Sequence, residues 1–91
     1  MTNVVYDPAG GWMEFRGHAG AGEKGRDIVC AALSILMYTL IASVPGAEVK
    51  MGDGWCHIEG GAEPGPYGII STGVRLLAQQ YPRHVRMEVR M

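Results

Sequence analysis

The run from Ile28 to Val44 carries no charged residue over 17 positions. In a chain of 91 residues nothing constrains the fold more. Asp27 stands just before it, where a carboxylate can accept hydrogen bonds from the free backbone N–H groups of a first helical turn, as an N-cap does. Pro45-Gly46 follows and stops a helix. The spacing therefore predicts a helix over 28–44. It is apolar almost all round, which predicts burial on more than one side, with a sheet against one face and a second helix or another subunit against the other. The run falls short of the roughly 20 residues that cross a bilayer, and it contains Cys30, Ser34, Thr39 and Ser43. A core helix is the expectation, and no membrane contact.

Alternation brackets this helix. Thr2 to Tyr6 reads as a strand, Asp7-Pro8-Ala9-Gly10-Gly11 as a turn, and Trp12 to Arg16 as the returning strand, with Met13 and Phe15 on one face. After the helix, Ala47, Val49 and Met51 alternate with Glu48 and Lys50. Gly52-Asp53-Gly54 then turns the chain into Trp55–Glu59, with Cys56 and Ile58 on one face and Trp55, His57 and Glu59 on the other. Pro66 suits the first turn of a second helix, along which Tyr67, Ile70, Val74, Leu77 and Tyr81 form one apolar stripe, and Pro82 ends it. Gly68 and Gly73 weaken that helix by up to about 1 kcal/mol each unless close packing uses them. In the last strand Val85, Met87, Val89 and Met91 face in, while His84, Arg86, Glu88 and Arg90 face out. The order ββαββαβ predicts an α+β fold, two helices layered on a five-stranded, mostly antiparallel sheet. The 91 residues suit one domain, and so small a core would gain from dimerisation.

A net charge of -1 gives no nucleic-acid signal. Two cysteines are too few for a disulfide framework, and the opening Met1-Thr2-Asn3 lacks the basic-then-apolar pattern of a secretory leader, so a cytoplasmic setting is expected.

The chemistry gathers in one stretch, Gly17-His18-Ala19-Gly20-Ala21-Gly22-Glu23-Lys24-Gly25-Arg26-Asp27-Ile28-Val29-Cys30. Gly20, Gly22 and Gly25 fit G-x-G-x-x-G, but no acidic residue ends a following strand at the distance a dinucleotide site needs. With Asp27 as N-cap, Cys30 falls in the first helical turn, where the dipole and free N–H groups stabilise a thiolate. His18 could return over the glycine loop to meet it. Such a pair serves acyl transfer: cysteine attacks, histidine carries protons, and first-turn N–H groups hold an oxyanion. The bland reading is a small buried cysteine and a solvated histidine.

Gly17-His18-Ala19, the glycine loop, and Gly25-Arg26-Asp27-Ile28-Val29-Cys30-Ala31-Ala32-Leu33-Ser34 resemble the signature of the ribosomal-processing cysteine proteases, the Prp family. The resemblance extends over the whole chain. It implies Cys30 as nucleophile, His18 as its base, Asp27 and Ser34 in the family's supporting positions, and a gating loop that includes Gly20, Gly22 and Gly25. It further implies a cytoplasmic homodimer without a cofactor. Its substrate would be a ribosomal protein precursor, the twenty-seventh protein of the large subunit, from which it removes an N-terminal extension. The competing readings are a Prp-like paralogue acting on another protein and a non-catalytic dimeric interaction module.

For the remaining residues the plain readings are favoured. Asp27 is first a helix cap. Ser34, one turn after Cys30, lines the pocket or hydrogen-bonds the preceding turn. A zinc set of His18, Cys30, Cys56 and His57 is disfavoured, because adjacent strand residues point to opposite faces. Cys56 is expected in the core, and His57 and His84 exposed. Leu36, Met37 and Tyr38 are expected as core or dimer residues.

Overall fold

The computed structural model describes residues 1–17 and 26–90, the side chains of 26 and 27 excepted. The elements are β1 (Thr2–Asp7), β2 (Trp12–Arg16), α1 (Arg26–Ser43), β3 (Ala47–Gly52), β4 (Trp55–Gly60), α2 (Gly65–Gln80) and β5 (Val85–Val89). The expected order and α+β class are therefore present. The five strands form one sheet in the order β3-β4-β2-β1-β5. Neighbours run antiparallel except β1 and β5, which are parallel, with Val4 opposite Met87.

Alternation decides which face of the sheet takes the helices. Val4, Met13, Phe15, Cys56, Ile58 and Val85 all point to one side. There they meet Val29, Leu33, Leu40 and Val44 of α1 and Tyr67, Ile70 and Val74 of α2 in a single apolar cluster. Both helices thus cover one face, and the other is left to Trp12, Glu14, Arg16 and His57. The stripe on α2 is buried as its spacing predicts, with Leu77 and Tyr81 packed at its margin. Tyr67 also stacks on Tyr6, ring centroids 6.2 Å apart, and its hydroxyl donates to the Gly60 carbonyl at 2.9 Å. Burial, together with the charges of Glu59 and Tyr6, raises the Tyr67 pKa above the usual tyrosine value.

Gly73 has the packing role that would justify a glycine inside a helix. A Cβ there would lie 2.9 Å from Leu36 Cδ2, so its absence lets α2 approach α1. Gly68 has no such neighbour. Helix α1 is less enclosed than its uniform apolar character predicts. Leu36, Met37 and Ile41 pack on the core, but Ile28, Ile35 and Tyr38 stay exposed. No described helix is long and apolar enough to cross a membrane.

Candidate active site

Three pieces of chain converge at one end of the sheet. The first is the end of β2. Gly17 follows Arg16 with φ 99°, a left-handed value natural to glycine, and its N–H donates to the Gly54 carbonyl at 2.7 Å. A Cβ on Gly17 would collide with the Met1 carbonyl oxygen. The second piece is the β3–β4 hairpin, whose Asp53-Gly54 turn uses a positive φ of 74° at Gly54. The third is the N-terminal half of α1.

Between them lies a cavity of about 270 Å³. Helix α1 contributes Cys30, Leu33, Ser34, Met37 and Tyr38, the hairpin Met51, Gly52, Gly54, Trp55 and Cys56, and the sheet Thr2, Phe15 and Gly17. Cys30 is a free, half-buried thiol, and Ser34 stands one turn further along the same wall. Cys56, the other free cysteine, belongs to the core as expected, and burial pushes its thiol up from the usual value. A thiol open to a largely apolar cavity can attack an electrophilic carbonyl that enters it; one raised by burial is the poorer nucleophile.

His18, Gly20, Gly22 and Gly25 lie outside the described residues. The chain nevertheless brings Gly17, the residue before His18, to the same cavity as Cys30. The start of α1 differs from expectation. Arg26 is already helical, so Asp27 lies inside the helix and is not its N-cap, and Cys30, four residues beyond Arg26, lies past the first turn. Arginine is a good helix former, which suits helical geometry before Asp27. In the helical pattern the Cys30 N–H points at the Arg26 carbonyl, so free donors come only from residues ahead of the cysteine.

His57 also departs from expectation. It lies across the sheet from Cys56, half-buried on the open face. Its Nδ1 is 3.0 Å from Glu14 Oε1 and its Nε2 2.9 Å from Glu59 Oε1. Its ring stacks on Trp12 with centroids 5.1 Å apart. A carboxylate only accepts, so both ring nitrogens donate, and only the imidazolium has two N–H groups. Burial alone would lower the His57 pKa, but the hydrogen bonds of Glu59 and Glu14 outweigh it and hold the value above that of an ordinary histidine. Burial likewise works to raise Glu14, and the hydrogen bonds of Arg16 and His57 bring it below the usual carboxylate range. Facing away from Cys56, His57 cannot share an ion with it.

Sequence reasoning missed the Glu14–His57–Glu59 cluster and the part played by the β3–β4 hairpin in the cavity. The second was within reach: alternation puts Met51 and Cys56 on the helix face. Their closeness to Cys30 depends on strand order.

The sequence profile of the family described as cysteine protease Prp matches residues 5–86. The chain belongs to that family. It is accordingly a cysteine protease, as its signature implied. No curated protein matches it at a significant level. Among solved structures, SMU.848 from Streptococcus mutans is similar at 25% identity and TM-score 0.72, covering 97% of this chain and 90% of that one. An essential ribosomal processing protease Prp from S. aureus, in complex with a covalently linked product peptide, superposes at TM-score 0.77 and 19% identity over 98% of this chain and 97% of that one. The same protease with a substrate peptide gives TM-score 0.75 at 18% identity, with the same coverage. At those identities the S. aureus structures speak to the fold alone.

Proposed function

We propose that this Prp-family protease uses Cys30 as nucleophile and His18 as base to remove an N-terminal extension from the twenty-seventh large-subunit ribosomal protein. The observation that carries the reading is the cavity onto which the Cys30 thiol opens, shared with Gly17 next to His18. His18 takes the thiol proton as sulfur attacks the scissile carbonyl carbon. It then gives that proton to the leaving amine, and the thioester left on Cys30 is hydrolysed by water. Asp27 and Ser34 support the pair, and a loop containing Gly20, Gly22 and Gly25 gates entry. The S. aureus relative is a ribosomal processing protease crystallised with substrate and product peptides, which supports a peptide substrate here.

The working form is a homodimer in the cytoplasm. Ile28 and Ile35 on α1 and Ile69 and Leu76 on α2 stay exposed, apolar side chains that a subunit contact would cover.

The test mixes the protein with the extended ribosomal precursor and sequences any new N-terminus. Wild type releases the extension; Cys30→Ala and His18→Ala do not. Iodoacetamide near neutral pH labels Cys30 quickly and Cys56 slowly, and His18→Ala slows the first reaction. Equal, slow labelling of both thiols overturns the assignment.

A further inference from the structure

Strand β3 is an outer strand of the sheet, and the direction of its backbone groups can be read from its neighbours. The Gly17 N–H donates to Gly54 O at 2.7 Å and the Gly60 N–H to Gly11 O at 2.9 Å. These two bonds bracket the β2–β4 register, so Cys56 and Ile58 turn their amides and carbonyls toward β2. Trp55, His57 and Glu59 therefore turn theirs toward β3, opposite Gly52, Lys50 and Glu48. Alternation leaves Val49 and Met51 with N–H and C=O on the free side. Ala47, the next in that series, already donates its N–H to Val44 O at 3.1 Å. Among the described residues the four groups of Val49 and Met51 take no backbone partner.

The same two residues send their side chains to the helix face, where they remain 37% and 49% exposed. On α1, Tyr38 is 54% exposed. Met51, Ser34 and Tyr38 line one cavity with Cys30. Backbone groups that take no backbone partner among the described residues thus run along β3 toward the cavity that Met51 shares with Cys30. Proteins ordinarily blunt such an edge, because it invites another strand. Strand addition draws affinity from the main chain and selectivity from pockets for every second side chain.

We propose that β3 is the substrate-binding strand. The peptide lies extended along it, pairs with the backbone of Val49 and Met51, and carries its scissile bond to Cys30. Every second peptide side chain turns to the helix face and meets Met51 and Tyr38, which favours apolar residues there. The intervening ones turn to the open face beside Glu48 and Lys50. This rests on the endopeptidase reading above.

Two measurements test it, both on the full-length protein. The first follows cleavage of a peptide spanning the extension junction of the ribosomal precursor, and of its single backbone N-methyl derivatives. Each N-methyl group that removes a bond to β3 lowers kcat/KM about tenfold, so losses fall on every second residue. The second uses Val49→Pro, which deletes an outward N–H where an edge strand tolerates proline. Its kcat/KM falls about tenfold, further than that of Val49→Ala, which keeps the amide, while iodoacetamide alkylates Cys30 at the wild-type rate. A flat N-methyl scan with active wild type overturns the inference and leaves the protease reading standing, as do equal losses in the two Val49 variants. A Val49→Pro change that alters only the dimer mass also overturns it, because a second copy then occupies the edge. If wild type cleaves no junction peptide, the functional reading falls and this inference with it. If circular dichroism shows Val49→Pro unfolded, the N-methyl scan on wild type decides alone.

Discussion

Replacing His57 by Phe keeps a ring against Trp12 and removes the cation held between Glu14 and Glu59. The Glu14 and His57 side chains are 23% and 24% exposed, so their pairing at 3.0 Å is only partly screened by water. A charge-assisted hydrogen bond in that setting contributes about 1 to 2 kcal/mol. Glu59 is 55% exposed and adds about half a kcal/mol at most. Arg16 Nε, 2.9 Å from Glu14 Oε2, still neutralises the carboxylate in the variant and limits the loss. The expected cost near pH 6 is about 1 to 2 kcal/mol, or about 5 to 15 °C in Tm for a domain of this size. The sign of the pH dependence follows from the two shifts. His57 is raised, so its contribution is complete below the ordinary value of 6.5 and fades as pH climbs through its folded pKa. Glu14 is lowered, so its contribution is present above the ordinary 4.5 and is lost as pH falls through its folded pKa. The pair is therefore strongest between those two ordinary values. Thermal unfolding followed by circular dichroism, at fixed protein concentration and ionic strength, should show the gap between wild type and His57→Phe closing as pH rises above the ordinary 6.5 and through the raised folded pKa. A gap that stays constant or widens with pH would refute the imidazolium assignment.

Gly68→Ala meets nothing within 4 Å and should stabilise α2 by about 0.5 to 1 kcal/mol in chemical denaturation, whereas Gly73→Ala should gain less, because its methyl presses on Leu36. Gly17→Ala combines a φ of 99° with a clash against the Met1 carbonyl, and should cost more than about 1 kcal/mol by the same measurement. Met13→Ala empties a fully buried position in the middle of the sheet and should cost about 2 to 5 kcal/mol, lowering the urea midpoint with little change in m-value.

The local elements were legible in the sequence because each rests on short-range physics. Alternation at Met13 and Phe15, at Cys56 and Ile58, and at Val85 and Met87 required strands with one buried face. The uncharged run ending at Pro45-Gly46 required a core helix, and the Tyr67–Ile70–Val74 stripe required a second. The signature around Cys30 was likewise contiguous, so the family could be named from it. Less was legible where residues distant in the chain meet. Periodicity says nothing about strand order, so it could not place β5 parallel to β1 or leave β3 at an edge. His57 read as exposed because Glu14 lies 43 residues away, and only the β2–β4 register sets them side by side. The sequence left open whether close packing uses Gly73, because only the fold brings Leu36 against it. The sequence by itself determined a family, two helices, five strands and a cysteine near the start of α1. Tertiary structure decided that this cysteine opens onto a cavity shared with Gly17, Met51 and Trp55, and that among the described residues the outward backbone groups of Val49 and Met51 take no backbone partner. Those are products of packing between segments far apart in the chain, which no local pattern encodes.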